Sequence, residues 1–171
     1  METYIRKCTI ADLQALRDLA YETYDDSFRA LNTPETMYAY LAEAFDLERV
    51  KAELETPQCG FYFLFAGGKL AGYIKINEAP AQTDINDTDS LELERIYVQK
   101  EFKRLGLGTN LIQYAEEIAR SIGKKYIWLG VWEQNPKAIA FYETMGYVQF
   151  ARHTFRMGEE LQSDWVMKKE L

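Results

Sequence analysis

The sequence predicts an α/β or α+β fold built on a mixed β-sheet, in a single domain that covers residues 1–171. Three observations carry this prediction. A chain of 171 residues has the usual length of one domain. Hydrophobic residues make up 47% of it, which is enough to fill a sizeable core. Strand-like and helix-like segments alternate in the second half, and this alternation is typical of parallel neighbouring strands.

The first part of the chain is expected to form one short strand and three helices. The strand covers residues 3–8. Thr9 has the position and side chain of a helix cap, and Thr33 has the same features in front of a proline. Apolar residues recur at helical spacing after each cap, and a third, shorter helix is expected at residues 47–55.

A hairpin is predicted to follow these helices. The continuously apolar run 61–65 and the segment 70–76 flank a pair of glycines, which is the signal of a tight turn between antiparallel strands. Residues 77–89 are polar and are expected to form a loop. Another strand is expected at residues 91–98.

The remaining elements show a regular alternation. They are predicted to be a glycine turn at residues 106–108, a helix to Ser121, a strand at 126–131, a helix at 136–145, and two strands near 147–156 and 164–169. Because strand, helix and strand follow one another, the strands on either side of the first of these helices are predicted to be parallel.

The charge balance argues against nucleic acid as the main ligand. The chain has 27 Asp and Glu against 20 Lys and Arg, a net charge of −7, which favours cationic partners. The first residues do not show the pattern of a signal peptide, and no stretch approaches the ~20 apolar residues of a membrane span. We therefore expect a cytoplasmic protein that binds neither nucleic acid nor membrane.

The cysteines and the histidine give no indication of a metal site or a disulfide. Cys8 and Cys59 stand 51 positions apart, with no second Cys or His near either. Both are interpreted as small packing residues. His153 is the sole histidine and is interpreted as a structural residue at a strand edge.

The most informative local motif is the turn from Lys103 to Thr109, which leads into an amphipathic helix. A helix start offers unpaired N–H groups, and the missing Cβ atoms of Gly106 and Gly108 let an anion approach closely. Lys103 and Arg104 add positive charge. The motif lacks the third glycine of a dinucleotide fingerprint and the Gly-Lys-Ser/Thr ending of a Walker loop. It indicates another kind of phosphate site, or simply a helix that starts after a glycine.

Three segments together resemble the GNAT family of acetyl-CoA-dependent N-acetyltransferases. They are Glu94–Val98, the turn Lys103–Gly108, and Asn135–Tyr147. Within that family the chain is most similar, over nearly its whole length, to the PaiA-type spermidine/spermine acetyltransferases of Gram-positive bacteria. One position departs from the pattern, because the family turn usually begins with Gln or Arg. The lysine found there keeps the positive charge but not the planar donor fork.

The resemblance implies the GNAT fold, a mixed but mostly antiparallel twisted sheet of about seven strands, with splayed central strands and helices on both faces. It also implies acetyl-CoA as co-substrate and no metal. The residues expected to bind acetyl-CoA are Ile96, Tyr97, Val98, Lys103, Arg104, Leu105, Gly106, Leu107, Gly108, Thr109, Asn135, Lys137 and Tyr142.

Individual roles also follow from the resemblance. The amides of the turn would hold the pyrophosphate, and the pantetheine arm would pair with the main chain of Ile96 and Val98. The Val98 N–H would then act as an oxyanion donor. Asn135 would cap its helix and contact the pantetheine arm. Tyr142 would protonate the departing thiolate as general acid, with a plain core aromatic as the alternative.

The acceptor amine must lose a proton before it attacks. Glu94 matches the carboxylate that related polyamine acetyltransferases place on this strand. A carboxylate of pKa ~4 is a poor base for an ammonium of pKa ~10. We therefore expect Glu94 to act through water or after desolvation raises its pKa. Glu92 is a candidate substrate residue on the same strand. A surface ion pair is the alternative for both. Glu22 and Asp26 are candidates for an opposite acidic wall.

Three hypotheses for the function remain open. The first is acetyl transfer to a primary amine, with spermidine and spermine preferred, by direct attack in a ternary complex rather than through an acetyl-cysteine. The second is acetylation of a protein or peptide amine. The third is an acyl-CoA-binding regulatory module without turnover. The expected partner is a small-molecule amine, and the protein is expected to be a monomer or a homodimer.

Overall fold

The computed structural model describes residues 1–157 and 159–171. Its strands and helices are, in chain order, β1 (Thr3–Lys7), α1 (Leu13–Phe28), α2 (Pro34–Ala44), α3 (Leu47–Glu55), β2 (Cys59–Ala66), β3 (Lys69–Asn77), β4 (Ser90–Val98), α4 (Leu107–Ser121), β5 (Tyr126–Trp132), α5 (Pro136–Thr144), β6 (Val148–Met157) and β7 (Glu160–Glu170). The predicted order of elements is confirmed. Among the described residues, no helix has the length and apolar character needed to cross a membrane.

The described strands form one seven-stranded sheet in the order β1-β2-β3-β4-β5-β7-β6. Neighbouring strands run antiparallel, with the single exception of β4 and β5, which flank α4. Both the mixed, mostly antiparallel sheet and the predicted parallel pair are therefore confirmed.

Local capping explains where the first helices begin. The Thr9 N–H donates to Asp12 Oδ2 at 2.8 Å, which opens a short 3₁₀ turn in front of α1. The Thr33 hydroxyl accepts from the Thr36 N–H at 3.1 Å, and a proline follows it at the first helical position. Both predicted caps are confirmed.

Each face of the sheet carries its own apolar core. On one face, α4 and α5 cover sheet residues such as Ile74 and Ile127. On the other face, α1, α2 and α3 cover Phe63 and Trp132. We call these the α4–α5 face and the α1–α3 face. Helices therefore lie on both faces, as the resemblance implies.

The strands β4 and β5 pair over only three positions. Residues Ser90–Glu92 lie beside Tyr126–Trp128. Beyond this point β4 continues along β3, and β5 continues along β7. The two strands therefore splay apart in the middle of the sheet, and a gap opens between residues 93–98 and 129–132.

A β-bulge at Glu94 changes which side chains of β4 face each core. The register with β3 passes from Leu93 directly to Arg95, so Glu94 is an extra residue in the strand. Leu93 before the bulge and Ile96 after it both pack on the α4–α5 face. Arg95 consequently points to the α1–α3 face, where it stacks on Phe45.

Candidate active site

A cavity of about 390 Å³ occupies the gap between β4 and β5 and reaches both faces of the sheet. Its α5 half is lined by Ile96, Val98, Lys103, Asn135, Ala138 and Tyr142. Its β7 half is lined by Thr83, Glu92, Trp128, Gly130, His153 and Asp164. An aromatic wall is formed by Tyr24, Phe28, Tyr40 and Trp132.

The main chain of β4 presents unpaired groups to the α5 half. The Gln99 N–H donates to the Ala71 carbonyl on β3 at 2.7 Å. Successive N–H groups of a strand point to opposite edges, so the N–H groups of Val98 and Ile96 point toward β5. No residue of β5 pairs with β4 at this level in the described structure. An extended ligand can therefore add itself here as a further strand.

Gly72 on β3 allows the main chain at the end of β4 to approach β3 closely. A Cβ atom on Gly72 would lie 2.5 Å from the Tyr97 carbonyl oxygen and 3.3 Å from the Val98 Cα. The Tyr97 carbonyl is therefore held against β3, and the Tyr97 ring lies 6.0 Å from the Tyr73 ring on the α1–α3 face. Tyr97 is also one of the residues that line the cavity.

The turn in front of α4 leaves its amides free. Gly106 caps the helix with a φ of 76°, in the left-handed region, and Arg104 adopts a φ of 66°. No N–H group of residues 104–109 donates to a backbone acceptor in the described part of the chain. The side chains of Lys103 and Arg104 are exposed beside them. This arrangement fits a diphosphate.

Not every predicted turn or helix residue can act through its side chain. Leu107 is 4% exposed and packs in the core of the α4–α5 face, so only its amide is available. Lys137 is exposed on the first turn of α5 and is not among the cavity residues. Lys103 is the residue of the described turn that lines the cavity.

Asn135 caps α5 and also lies at the cavity. Its Oδ1 accepts a hydrogen bond from the Ala138 N–H at 3.3 Å and caps α5, so the predicted cap is confirmed. The residue also lines the cavity. Its Nδ2 makes no hydrogen bond to the residues the structure describes and is available to a ligand.

Tyr142 belongs both to the core and to the cavity. Its ring lies 5.4 Å from Phe141 and 6.1 Å from Tyr147, and 9% of the residue is exposed. Burial raises the pKa of Tyr142, so the hydroxyl stays protonated at neutral pH. Within the described structure the hydroxyl has no hydrogen-bond partner. A general acid at this position would need no rearrangement of existing bonds.

Two cations hold Glu94 in its charged form. Its carboxylate lies 2.7 Å from Lys75 Nζ and 3.3 Å from Arg95 Nη2. Burial alone would raise the pKa of Glu94, but Arg95 and Lys75 outweigh it and lower the pKa to about 2. The expectation that desolvation makes Glu94 a stronger base is therefore wrong. The alternative of a glutamate paired with Lys or Arg is confirmed in its pairing but not in its surface location, because the side chain is 17% exposed.

Glu92 has no cationic partner among the described residues. It is 2% exposed and accepts hydrogen bonds from Asn77 Nδ2 at 2.9 Å, from the Thr83 N–H at 2.9 Å, and from the Thr83 hydroxyl. Burial, followed by the negative charge of Glu94, raises the pKa of Glu92. It is not a surface residue, so that alternative is wrong here. Of the two strand carboxylates, Glu92 is the stronger base.

The predicted acidic wall from α1 does not form. Glu22 and Asp26 are exposed, and neither is among the cavity residues. The face of α1 that turns toward the cavity carries Tyr24, Ser27 and Phe28 instead. The wall opposite β4 is therefore aromatic.

His153 and Asp164 are cavity residues that sequence reasoning missed. They are register partners in the β6–β7 hairpin, with His153 Nε2 3.7 Å from Asp164 Oδ2. His153 lies on the edge strand β6, as predicted, and it also lines the cavity. No sequence signal identifies this pair, because strand neighbours are set by the sheet order.

Neither cysteine is among the residues that line this cavity. Cys8 is buried and Cys59 half-buried, and both are free. Burial raises the pKa of Cys8 to about 12, which suppresses the thiolate. Over residues 1–157 and 159–171, no group of three or more His, Cys, Asp or Glu is placed to hold a metal ion.

Comparisons with known proteins agree with this geometry. A family model described as the acetyltransferase (GNAT) family matches residues 16–147. An uncharacterized N-acetyltransferase from the pepI 3′ region of Lactobacillus delbrueckii subsp. lactis is 39% identical over 160 residues, which cover 94% of this chain and 92% of that protein. The spermidine N(1)-acetyltransferase of Thermoplasma acidophilum is 25% identical over 174 residues, covering 99% and 98%.

Solved structures show the same fold. The PaiA N-acetyltransferase of Thermoplasma acidophilum in complex with coenzyme A superposes with a TM-score of 0.80 at 24% identity, covering 100% of both chains. A ribosomal-protein-alanine N-acetyltransferase from Brucella melitensis superposes with a TM-score of 0.75 at 22% identity, covering 98% of this chain and 99% of that one. Because the family model spans most of the sequence and the Lactobacillus relative nearly all of it, the chain belongs to the GNAT family of acetyltransferases.

Proposed function

We propose that this protein transfers the acetyl group of acetyl-CoA to a primary amine of a polyamine, with spermidine and spermine as the preferred acceptors. The observation that carries the proposal is the cavity between β4 and β5, which has free main-chain donors in one half and carboxylates in the other. Two relatives support the acceptor class by their names, the Thermoplasma enzyme above and a probable spermine N(1)-acetyltransferase of Bacillus subtilis subsp. natto, 28% identical over 130 residues.

The α5 half would bind acetyl-CoA, which supplies an acetyl group activated as a thioester. The N–H groups of residues 104–109 would donate to the diphosphate, and Lys103 would add charge. The main chain of Ile96 and Val98 would pair with the pantetheine arm, with the Asn135 amide beside it. The coenzyme A complex of the structural neighbour supports this assignment.

The residues of the α5 half would then act on the thioester in a direct transfer. The Val98 N–H would stabilise the negative charge that develops on the carbonyl oxygen as the amine nitrogen forms its bond to the carbonyl carbon. Tyr142 would donate its proton to the thiolate as the carbon–sulfur bond breaks. No cysteine lines the described cavity, which favours direct attack over a covalent relay.

The β7 half would receive the amine. We assign the proton acceptor to Glu92, because its pKa is raised while that of Glu94 is lowered. A carboxylate remains a weak base toward an ammonium of pKa ~10, so part of the proton loss must come from desolvation of the amine in this buried site. Glu94, which is neutralised by Lys75 and Arg95, would contribute by keeping the pKa of Glu92 raised.

The acceptor is tested by measuring coenzyme A release side by side with spermidine, spermine, putrescine, free lysine and a peptide amine. We expect the highest kcat/KM with the polyamines. Higher activity with lysine or the peptide would favour the protein-acceptor hypothesis. Binding of acetyl-CoA by calorimetry without turnover of any amine would favour the regulatory module. Absence of acetyl-CoA binding would refute all three hypotheses.

A further inference from the structure

The carboxylate of Asp164 is unusual among the acidic groups of the cavity because it has no strong partner. No hydrogen-bond donor contacts it in the described residues, and the basic side chain found within 4 Å of it there is His153, at 3.7 Å, which is longer than a hydrogen bond. Glu94, in contrast, has two cations, and Glu92 accepts bonds from Asn77 and Thr83. The Asp164 side chain is nevertheless only 18% exposed. A carboxylate in this state has its acceptor capacity left for a ligand.

His153 makes no hydrogen bond to this carboxylate in the described structure. Its Nδ1 is buried and has no hydrogen-bond partner in the part of the chain that the structure describes, although Asp84 Oδ2 lies 3.5 Å away. The imidazole is therefore also incompletely bonded. Two neighbouring polar side chains, each without a full set of partners, line the same half of the cavity.

The space beside them is kept open by Gly130 on β5. A Cβ atom there would lie 3.1 Å from Asp164 Oδ2 and 3.6 Å from His153 Cε1. The fully buried Trp128 lines the same half of the cavity. Its indole N–H donates a hydrogen bond to Gln82 Oε1 at 3.2 Å. A carboxylate and an aromatic side chain beside an open space form a suitable environment for an ammonium group.

Asp164 and Tyr142 lie on opposite faces of the sheet. Trp165 and Met167 of β7 pack on the α4–α5 face, so alternation along the strand places Asp164 on the α1–α3 face. Tyr142 packs on the α4–α5 face. A single acceptor that reaches both ends of the cavity must therefore be elongated.

We propose that Asp164, together with Trp128, binds a second protonated amine of the acceptor, remote from the amine that is acetylated, and thereby selects diamines and polyamines over monoamines. The inference rests on the proposed function, since it places an amine acceptor in this cavity. Burial raises the pKa of Asp164 to about 6, and His153 partly opposes this shift. A bound ammonium would also stabilise the ionised carboxylate.

The test is Asp164→Asn, which removes the charge and keeps the volume. Kinetics are measured with spermidine, 1,4-diaminobutane and the matched monoamine n-butylamine. We expect kcat/KM for the two polycationic acceptors to fall about tenfold or more through KM, as the loss of one charged contact predicts. The kcat/KM for n-butylamine and the KM for acetyl-CoA should stay unchanged. Asp89→Asn is the control, because Asp89 is an exposed surface partner of Lys125.

Calorimetric titration of spermidine into the protein with coenzyme A bound keeps the two proposals distinguishable. Weaker spermidine binding in Asp164→Asn without turnover in the wild type would support this inference and refute the proposed acetyl transfer. Equal losses for n-butylamine and the diamine, or no loss for either, would overturn the inference while leaving acetyl transfer intact. If Asp164→Asn does not fold, Gly130→Ala fills the same space with Asp164 present and should produce the same selective loss.

Discussion

Lys75 Nζ lies 2.7 Å from Glu94 Oε1 in the interior of the sheet. The lysine is 3% exposed and also contacts Glu53 Oε2 at 3.0 Å. With Arg95 on the other side, this contact makes Glu94 a permanent anion. The proposed proton acceptor is therefore Glu92, two residues earlier on the same strand, whose pKa is raised. The chemical difference between two glutamates of one strand is set by their neighbours and not by residue type.

Glu94→Gln should destabilise the protein in a pH-dependent way. It leaves Lys75 and Arg95 with one carboxylate fewer, and we expect a loss of about 3 kcal/mol or more of unfolding free energy at neutral pH. The folded pKa of about 2 lies below the ordinary 4.5, so the stabilisation is present above pH 4.5 and is lost as the pH falls toward 2. Urea unfolding across this range measures it. Glu22→Gln, on an exposed residue, is the control, and a wild-type advantage that does not change with pH would contradict the ion-pair argument.

Glu92→Gln should lower kcat by about 100-fold, within the usual contribution of general acid–base catalysis. The fold should be retained, since the glutamine can still accept from Asn77 and Thr83. In the wild type, activity should fall as the pH drops through the raised pKa of Glu92, because the proton acceptor must be ionised. The variant should lose this acidic limb of the pH profile. If the variant keeps the same fall in activity at low pH, the group that causes this fall is not Glu92.

Tyr142→Phe should bind acetyl-CoA as the wild type does and lose about 100-fold in kcat. The ring packing against Phe141 and Tyr147 is kept, because only the hydroxyl is removed. Tyr114→Phe is a matched control, since Tyr114 stacks edge-on against Tyr62 outside the cavity. Unchanged turnover in Tyr142→Phe would remove the general-acid assignment.

Gly106→Ala should weaken coenzyme A binding about tenfold while affecting pantetheine little, because the change strains the turn that is expected to hold the diphosphate. Gly123→Ala is a close control. Gly123 follows the same helix with a φ of 79°, against 76° for Gly106, and a Cβ at either position meets no atom within 4 Å. Both variants should lose a similar amount of unfolding free energy. Equal affinity for coenzyme A in both would argue against the turn as the phosphate site.

Gly72→Ala should impair both acetyl-CoA binding and turnover, because the new Cβ would push the end of β4 away from β3. The obstacle is the Tyr97 main chain, which cannot move without displacing the Val98 N–H. Gly60→Ala on β2 is the control, since the atoms it meets at 3.1 and 3.2 Å are side-chain atoms of Tyr62 and Ile76. A Gly72→Ala enzyme with wild-type kinetics would mean that this edge of β4 is not part of the reaction site.

Much of the fold could be predicted because its signals are local. Helix caps at Thr9 and Thr33, the glycine hairpin, and the strand–helix–strand alternation each depend on a few neighbouring residues, and the structure confirms them. The turn before α4 was recognised in the same way. Its role toward acetyl-CoA remains a prediction, supported by the free amides of residues 104–109.

The site itself depended on contacts between residues far apart in the chain. Local pattern was sufficient to identify β4 and its two glutamates, but the bulge at Glu94 and its pairing with Lys75 arise from the register with β3. Glu22 and Asp26 failed as cavity residues because the rotation of α1 is set by packing. His153 and Asp164 reach the cavity because the sheet order β5-β7-β6 places their strands beside β5. Residue types and short-range spacing are properties of the chain, whereas pKa values and cavity walls depend on which distant groups the folded sheet brings within a few ångströms.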